Sequence, residues 1–384
     1  MPCLSPVYDS PQADMGYDIS DYKSIYPPYG TLEDVDRLIA ELNKRGMELV
    51  MDLVVNHTSN QHAWFIESCS SLASPKRDWY IWKKPKGFDS NGKPIPPNNW
   101  KQILGEANSA WVWDETTQEF YLALFTPEQP DLNWESTEVR KAVHDILRFW
   151  LDRGVAGFRM DVINLISKDQ AFPDGDVVAA GQLLQSGHQH FANGPRLHEF
   201  LLEIKREVLD TYLAKGRRIF TVGEMPFVHD SDEIVKIVHS ENGFLNMIFH
   251  FEHVEIDSCS SSPDDSPDIN QDVPGSAKFS IPEAKWTVSD LRRVMTKWQR
   301  VMMDGGGWNS LYVENHDQPR SVSRFTDDSD EYREYGAKLL CLMQTTLCGT
   351  LFVYQGEELG MRNVPLGWKP EEYKDVESVN FWKK

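Results

Sequence analysis

Apolar positions repeat along the chain in a fixed order: a helical pattern, a glycine and a short apolar run. The first helical pattern covers residues 32–42, Gly46 follows, and residues 47–55 are mostly apolar. Thr31 and Asp34 have the spacing of a capping box, which marks a helix start, and glycine commonly follows a helix end. This part of the chain is therefore predicted to form a helix that leads into a buried strand.

The same order returns in the rest of the chain. Further helical patterns cover residues 139–151, 197–213, 289–303 and 331–347, and further strand-like runs cover residues 155–163, 219–222, 244–251, 311–313 and 351–354. Helices that alternate with strands in this way form parallel sheets with right-handed crossovers. The pattern predicts an α/β protein.

Two segments break the alternation. Residues 58–131 are rich in Trp, Pro, Asn and Lys with little periodicity, and a stretch of this length is too long for a loop. We predict that it forms a small inserted domain, a lid over a barrel built from residues 1–57 and 132–384. Residues 258–267 are acidic and of low complexity, which predicts a flexible surface loop.

Composition narrows the class of ligand. The net charge of −20 repels phosphate backbones and anionic lipid surfaces, so nucleic acid and membranes are poor partners and an uncharged sugar fits better. The chain has no apolar run long enough to span a bilayer, and its N-terminus lacks signal-peptide features, which suggests a cytoplasmic protein. The five cysteines lack CxxC spacing, so we predict reduced thiols in the core.

Four segments end strand-like runs on carboxylate or imidazole side chains. They cover residues 52–57, 157–161, 222–224 and 314–317. A strand that is buried on both faces has no internal reason to finish on charged groups. Because a (β/α)8 barrel places its active site at the carboxyl ends of its strands, this order predicts one site built from several strands.

The first candidates for chemistry are carboxylates. Arg159 and Asp161 are two positions apart, so they share one face of a strand. They could form a buried ion pair that stabilises the sheet, or Arg159 could keep Asp161 ionised for use as a nucleophile. Glu224 follows Gly223, which lets a ligand or another backbone approach closely, although Glu224 could also cap the next helix.

Two histidines add hydrogen-bonding groups. His316 precedes Asp317 in a strongly polar segment after a strand-like run, and this favours a functional role for both residues. His57 follows Asn56 at the end of an apolar run, where a lone histidine is more often a core residue than a ligand. No partner at metal-ligand spacing accompanies His57, but its imidazole could still bind a sugar hydroxyl.

Together with residues 129–134 (QPDLNW) and 355–360 (QGEELG), these segments in this order resemble glycoside hydrolase family 13, in particular its α-glucosidases of the oligo-1,6-glucosidase, maltase and isomaltase type. The resemblance covers nearly the whole chain and implies a (β/α)8 TIM barrel with an inserted domain after the third strand. By it, Asp161 matches the nucleophile, Glu224 the general acid and base, and Asp317 the carboxylate that holds two sugar hydroxyls. It also implies substrate contacts by Tyr17, Asp18, His57, Arg159, Val162, His316 and Arg320. From the residues of this chain we expect no cofactor and no metal.

The implied reaction is retaining hydrolysis of terminal α-glucosidic bonds in short oligosaccharides. Asp161 would form a glycosyl-enzyme intermediate, and Glu224 would first protonate the leaving oxygen and then deprotonate water. In such enzymes a valine after the nucleophile, here Val162, goes with α-1,6 linkages, which favours isomaltose-type substrates. A transglucosidase, a sucrose isomerase and a non-catalytic sugar-binding relative remain alternatives.

By the same resemblance, the chain begins near the end of the second barrel strand and stops soon after the eighth. The expectation is therefore a barrel without its first strand and last helix, and without the C-terminal β-sandwich of the family. An arginine that partners the Asp18 position in the family is expected beyond Lys384. Such a chain would be a fragment that retains the catalytic residues.

Overall fold

The computed structural model of the protein describes residues 1–105, 108–177, 181–228, 230–257, 286–365 and 367–382. These residues form two compact units. The first unit contains the described residues up to 227 and those from 374 onward, and the second contains those from 228 to 373. Within these ranges no helix is long and apolar enough to cross a membrane.

The secondary structure alternates between helices and short strands. The strands are β1 (Cys3–Leu4), β2 (Tyr8–Asp9), β3 (Asp21–Ile25), β4 (Val50–Val54), β5 (Trp82–Lys83), β6 (Gly87–Phe88), β7 (Pro94–Ile95), β8 (Trp111–Asp114), β9 (Glu119–Leu122), β10 (Gly157–Asp161), β11 (Phe220–Glu224), β12 (Met247–Phe249), β13 (Ser310–Leu311) and β14 (Thr350–Leu351). The α-helices are α1 (Leu32–Lys44), α2 (Ala63–Cys69), α3 (Thr137–Arg153), α4 (His188–Phe191), α5 (Leu197–Ile204), α6 (Asp210–Leu213), α7 (Ser231–Val238), α8 (Val288–Gly305), α9 (Ser321–Phe325), α10 (Arg333–Thr345) and α11 (Val376–Trp382). Short 3₁₀ helices cover Arg77–Trp79, Ile163–Leu165, Glu357–Leu359 and Pro370–Glu372, and a π-helical turn at Lys205–Leu209 joins α5 to α6.

Helix α1 begins at the predicted capping box. The Thr31 side chain accepts a hydrogen bond from the Asp34 N–H, and the Asp34 side chain accepts one from the Thr31 N–H. Val35, Ile39 and Leu42 are the buried residues of this helix, in agreement with the helical spacing of the apolar positions. The helix leads into β4, which is buried along its whole length as predicted.

The first unit is built on a parallel sheet. Strand β4 pairs with β1 and β10, and β10 pairs with β4 and β11. The register places Arg159 of β10 beside Asp52 of β4 on one side and Val222 of β11 on the other. Gly157 is required at the start of β10, because a Cβ there would lie 1.8 Å from the carbonyl oxygen of Phe220. Parallel strands joined by helices confirm the predicted α/β class.

The inserted segment has sheets of its own. It contains α2, a three-stranded antiparallel sheet in the order β5-β9-β8, and the hairpin of β6 and β7. Its core cluster includes Trp100, Trp111 and Phe120, and it also takes in Phe172 and Phe191 from the segment after β10. The insert therefore shares its core with residues outside the predicted range 58–131, and these domain boundaries stay a prediction.

The second unit contains α7 to α10 and three short strands. Strands β13 and β14 pair in parallel, and the Ser310 hydroxyl donates to the Ile248 carbonyl oxygen of β12 at 2.6 Å. The Trp298 ring of α8 stacks on His250, with 4.0 Å between ring centroids. These three strands are shorter than the apolar runs that predicted them. Only two or three residues of each run form regular backbone hydrogen bonds with a neighbouring strand. The predicted surface loop at residues 258–267 lies outside the described residues.

The cysteines of the described residues are free thiols. The prediction that they lie in the core is wrong for Cys3, Cys341 and Cys348, which are exposed. Cys341 belongs to α10, whose neighbours Leu339 and Leu342 are also more than half exposed. An apolar sequence pattern therefore did not indicate the buried face of this helix. Cys259 lies outside the described residues.

Candidate active site

Carboxylates from three strands of the first unit contact one arginine, which lies on the middle strand. Arg159 Nη1 lies 3.0 Å from Asp52 Oδ1 and 2.6 Å from Asp161 Oδ1, and Arg159 Nη2 lies 2.7 Å from Glu224 Oε2. All four side chains are less than a tenth exposed. Their closeness follows from the sheet register, because β4, β10 and β11 are parallel neighbours. We call these four residues the arginine cluster.

The arginine cluster contains one cationic side chain and three carboxyl groups. Burial raises the pKa of Asp161 to about 7, against the opposing effect of Arg159. Burial likewise raises the pKa of Asp52 to about 6, again against Arg159. Burial would lower the pKa of Arg159, but the carboxylates of Asp52 and Glu224 outweigh it and raise that pKa well above its usual value. Arg159 acts in the predicted direction, because it favours the ionised form of Asp161, but it opposes the effect of burial and also pairs with two other carboxylates. Its role in keeping Asp161 ionised stays a prediction.

Asp161 and Glu224 also contact each other. A hydrogen bond between their side chains favours the ionised form of Asp161. Two carboxyl groups joined by a hydrogen bond must share a proton, so the pair resembles a dyad in which one member is acid and the other base. Tyr17 completes the cluster: its hydroxyl donates to Asp52 Oδ2 at 3.1 Å, and the Arg159 guanidinium carbon lies 5.8 Å from its ring centroid.

His57, in the same segment as Asp52, lies in a buried group of polar side chains. Its Nδ1 lies 3.2 Å from Asn56 Nδ2, and its Nε2 lies 3.2 Å from Gln129 Nε2. Burial lowers the pKa of His57 to about 4, so the imidazole is neutral at pH 7. The Gln129 amide also donates to Asp14 Oδ2 at 2.9 Å, which joins Asp14 to His57 through one side chain.

Asp18, a predicted substrate contact, accepts hydrogen bonds from within its own loop. It is fully buried, and its carboxylate accepts hydrogen bonds from the Ser10 hydroxyl and from the N–H groups of Ala13 and Asp14. These hydrogen bonds stabilise the conformation of the loop between β2 and β3. Asp14, four positions earlier, is half-buried and presents its carboxylate to Gln129.

A buried ammonium lies behind His57. Lys168 Nζ donates to Asn56 Oδ1 at 2.9 Å and to the Leu165 carbonyl oxygen at 2.6 Å, and it lies 3.0 Å from Asp131 Oδ1. Lys168 is 1% exposed and Asp131 is fully buried. Burial lowers the pKa of Lys168, and the Asp131 carboxylate opposes this. Among the described residues, no group of three or more His, Cys, Asp or Glu side chains could hold a metal ion.

Val162 follows Asp161 and lies under the insert. Its side chain is 7% exposed and belongs to the insert's core cluster. Its N–H donates to Glu224 Oε2 at 3.2 Å. The backbone of Val162 is left-handed, with φ of +34° and ψ of +43°. The structure therefore brings Tyr17, Arg159, Asp161, Val162 and Glu224 together, as a single site requires.

The remaining predicted residues lie in the second unit. The Asp317 side chain is 48% exposed, and its Oδ2 lies 3.3 Å from His316 Nε2. Arg320 Nη1 donates to Glu314 Oε1 at 2.8 Å and to the Gln355 carbonyl oxygen at 2.7 Å. Glu314 is 3% exposed. Arg320 therefore stabilises this unit through Glu314, while Asp317 and His316 keep accessible surface.

Two acidic residues of the first unit were missed as site residues. Asp52 begins one of the motifs, but its place opposite Arg159 depends on strand register, which a sequence pattern does not give. Asp14 lies in an aperiodic loop four residues from Asp18, and the turn of that loop decides which carboxylate faces Gln129. The one available signal was the presence of two acids in the same short loop.

Comparisons with known proteins agree on a family. The alpha-amylase catalytic domain matches residues 3–381. The chain is 51% identical over 380 residues to an alpha-glucosidase of Schizosaccharomyces pombe and 48% identical over 380 residues to an oligo-1,6-glucosidase of Parageobacillus thermoglucosidasius. Each alignment covers 99% of this chain and 61% of the relative, so the chain spans about three fifths of the length of these relatives.

A solved structure gives the same result for the fold. The crystal structure of trehalose-6-phosphate hydrolase from Bacillus licheniformis superposes with a TM-score of 0.83 at 41% identity, over 99% of this chain and 62% of that one. The (β/α)8-barrel class predicted from the strand ends and from the family resemblance is thereby confirmed. The chain belongs to the alpha-amylase catalytic-domain family, glycoside hydrolase family 13.

Proposed function

We propose that the protein is a retaining α-glucosidase that removes terminal glucose from short oligosaccharides. The observation that carries this proposal is the pairing of Asp161 and Glu224 on Arg159, at the ends of neighbouring strands. A retaining mechanism requires two carboxyl groups about 5 Å apart, whereas an inverting one needs about 6.5 Å or more to admit a water molecule. Side chains that share a hydrogen bond fit the shorter separation.

The reaction proceeds in two steps. In the first, an Asp161 oxygen bonds to the anomeric carbon while the bond to the leaving oxygen breaks, and Glu224 transfers its proton to that oxygen. In the second, Glu224 takes a proton from water, the water oxygen bonds to the anomeric carbon, and Asp161 leaves as a carboxylate. The cluster suits this exchange, because a hydrogen bond joins the side chains of Asp161 and Glu224 and both carboxyl groups lie against Arg159.

We assign sugar binding to residues of the first unit and to residues of the second unit. In the first unit, the half-buried Asp14 offers a carboxylate for sugar hydroxyls, and the buried Gln129 joins it to His57. In the second unit, the motif assigns Asp317 and His316 to the same task, and their exposed surface supports this role. The motif makes the same assignment for Asp18, Tyr17 and Arg320, whose polar groups already bond within the protein.

We propose α-1,6 linkages as the preferred substrates, on the strength of Val162 after the nucleophile and of the oligo-1,6-glucosidase relative. An alternative is a trehalose 6-phosphate hydrolase, which the similarity to the Bacillus licheniformis structure favours. A transglucosidase or sucrose isomerase would use the same first step and differ in what receives the glucosyl group. A non-catalytic relative would bind sugar without turning it over.

The test is release of p-nitrophenol from p-nitrophenyl α-glucoside by the purified chain. We expect turnover that Asp161→Asn abolishes, because the amide cannot act as the nucleophile. Isomaltose, maltose, sucrose and trehalose 6-phosphate are then compared by kcat/KM, and the products are separated into free glucose, transfer products and isomers. Turnover that Asp161→Asn leaves unchanged, or no turnover at all by a folded chain, would contradict the proposal.

A further inference from the structure

A cavity with a volume of about 440 Å³ lies beside the antiparallel sheet of the insert. Its lining includes Arg77 and Asp78 of the 3₁₀ helix Arg77–Trp79, Trp82 and Lys83 of β5, and Phe172 from the segment after β10. Cavities that bind small molecules have volumes of about 300–1,000 Å³. The proposed reaction uses none of these residues, so the cavity is a candidate for a second binding site.

Part of the lining is apolar and firmly packed. Ile81 and Phe172 are 7% and 6% exposed and belong to the core cluster of the insert. The Trp82 ring stacks with Phe65 at an interplanar angle of 5°, and the guanidinium carbon of Arg77 lies 3.4 Å from its ring centroid. These contacts hold the apolar lining in place without a ligand. Apolar surface with a few polar groups around it is the usual composition of a small-molecule site.

Two of the charged groups in the lining neutralise each other. Arg77 Nη2 lies 2.7 Å from Glu119 Oε2, and these side chains are 13% and 15% exposed. The same nitrogen donates to Thr117 Oγ1 at 3.0 Å. The ion pair is therefore a fixed part of the cavity wall. Lys83 and Asp78 are the other charged residues of the lining.

Lys83 and Asp78 have hydrogen-bonding groups to spare. Within the described residues, the Lys83 ammonium forms no hydrogen bond or ion pair, and it lies 4.3 Å from the centroid of the Phe172 ring. Lys83 is half-buried, and this burial lowers its pKa. The exposed Asp78 carboxylate likewise has no partner in the described part of the chain. The Gln170 amide donates to the Lys168 carbonyl oxygen at 3.0 Å, which leaves its own oxygen to accept.

A ligand that pairs with these groups must both accept and donate hydrogen bonds. An ammonium only donates, whereas a carboxylate and an amide oxygen only accept. The formal charges of Lys83 and Asp78 cancel, as those of Arg77 and Glu119 do, so the cavity favours neither an anion nor a cation. Hydroxyl groups both donate and accept. A sugar ring carries several of them next to apolar C–H groups.

We propose that this cavity is a second sugar-binding site, which takes a neutral disaccharide apart from the catalytic residues. The Lys83 ammonium donates to one hydroxyl, the Asp78 carboxylate accepts from another, and the C–H groups of the sugar pack against the apolar lining. The assignment depends on the cavity itself and not on the proposed activity, so binding alone tests it.

The Trp82 indole is a local reporter, because it belongs to the lining and its Nε1 donates to Ser68 Oγ at 3.0 Å. The chain is labelled with ¹⁵N-tryptophan, and the Trp82 resonance is assigned with Trp82→Phe. The probe is isomaltose with sulfur in place of the glycosidic oxygen, which resists hydrolysis. We expect a saturable shift of the Trp82 resonance. Lys83→Met and Asp78→Asn should each raise the dissociation constant about 10-fold or more, since each removes a hydrogen bond to a charged group.

Lys84→Met is the matched control, because Lys84 is exposed and does not line the cavity. It removes the same charge as Lys83→Met and should leave the dissociation constant unchanged. A Trp82 resonance that does not move, or that titrates with the same constant in Lys83→Met, would overturn the proposal. A response to inorganic phosphate without a response to the sugar would also overturn it, because that would show an anion site. A wild-type chain without turnover would contradict the proposed function and leave this titration intact.

Discussion

Asp52→Asn tests whether burial or ion pairing dominates the arginine cluster. Asp52 is 3% exposed, and its carboxylate faces Arg159, Glu224 and the Tyr17 hydroxyl. Burial raises its pKa from 3.8 to about 6. Each pKa unit corresponds to about 1.4 kcal/mol, so ionising Asp52 costs about 3 kcal/mol more in the folded protein than in the unfolded chain.

The direction of the pH effect follows from that shift. A carboxyl group with a raised pKa in the folded state contributes stability below the unfolded pKa, near 3.8, and this contribution is lost as the pH rises through about 6. Asparagine has nearly the same shape and does not titrate. The free energy of unfolding of Asp52→Asn, minus that of the wild type, should therefore increase by up to about 3 kcal/mol between pH 4 and pH 7.

Urea unfolding at pH 4.5, 6 and 7.5, followed by tryptophan fluorescence, measures this difference. Tyr17→Phe is the companion variant. It removes the hydroxyl that donates to Asp52 Oδ2, so it should lose stability relative to the wild type over the same pH range. In the Asp52→Asn background, Tyr17→Phe should have a pH-independent effect. If the stability of Asp52→Asn relative to the wild type falls as the pH rises, the ion pair with Arg159 dominates and the reasoning is refuted.

Substitutions at Lys168, Val162 and Gly157 test the packing around the site. Lys168→Met leaves the buried Asp131 without its cation and should destabilise the protein by about 3–5 kcal/mol, while adding Asp131→Asn should restore part of the loss in thermal denaturation. In urea unfolding, Val162→Gly should be at least as stable as Val162→Ala, because glycine adopts the left-handed backbone without strain. Alanine usually stabilises a protein more than glycine does, so a more stable Val162→Ala would show that the backbone at this position is not strained. Gly157→Ala places a Cβ 1.8 Å from the Phe220 carbonyl oxygen, so it should prevent the soluble, cooperatively folded state, and a near-wild-type melting temperature would contradict the observed sheet register.

The sequence predicted the elements whose local signals are strong. Helix α1 has both an amphipathic face and a capping box, and β4 is a continuous apolar run, so both were located within a few residues. The strands of the second unit are two or three residues long because pairing, which a single strand does not encode, decides their length. The shared core of the insert was missed for a similar reason, since Phe172 and Phe191 join it from outside the aromatic segment.

For the candidate site too, local sequence signals predicted some residues, and features that depend on the three-dimensional fold were missed. Arg159, Asp161 and Glu224 end apolar runs, and that position predicted their meeting correctly. The raised pKa of Asp161 was not predictable, because it depends on burial and on Asp52 sharing the same guanidinium. Asp14 was missed because loop geometry, and not periodicity, directs its carboxylate to Gln129.

As the proposed nucleophile, Asp161 would attack the anomeric carbon. The most direct measurement is mass spectrometry of the chain after reaction with 5-fluoro-α-glucosyl fluoride, whose leaving fluoride allows the first step and whose ring fluorine slows the second. We expect a covalent glycosyl adduct on the peptide that contains Asp161, and its absence in Asp161→Asn. An adduct on a different carboxylate, or inactivation without any adduct, would contradict the assignment of Asp161 as the nucleophile.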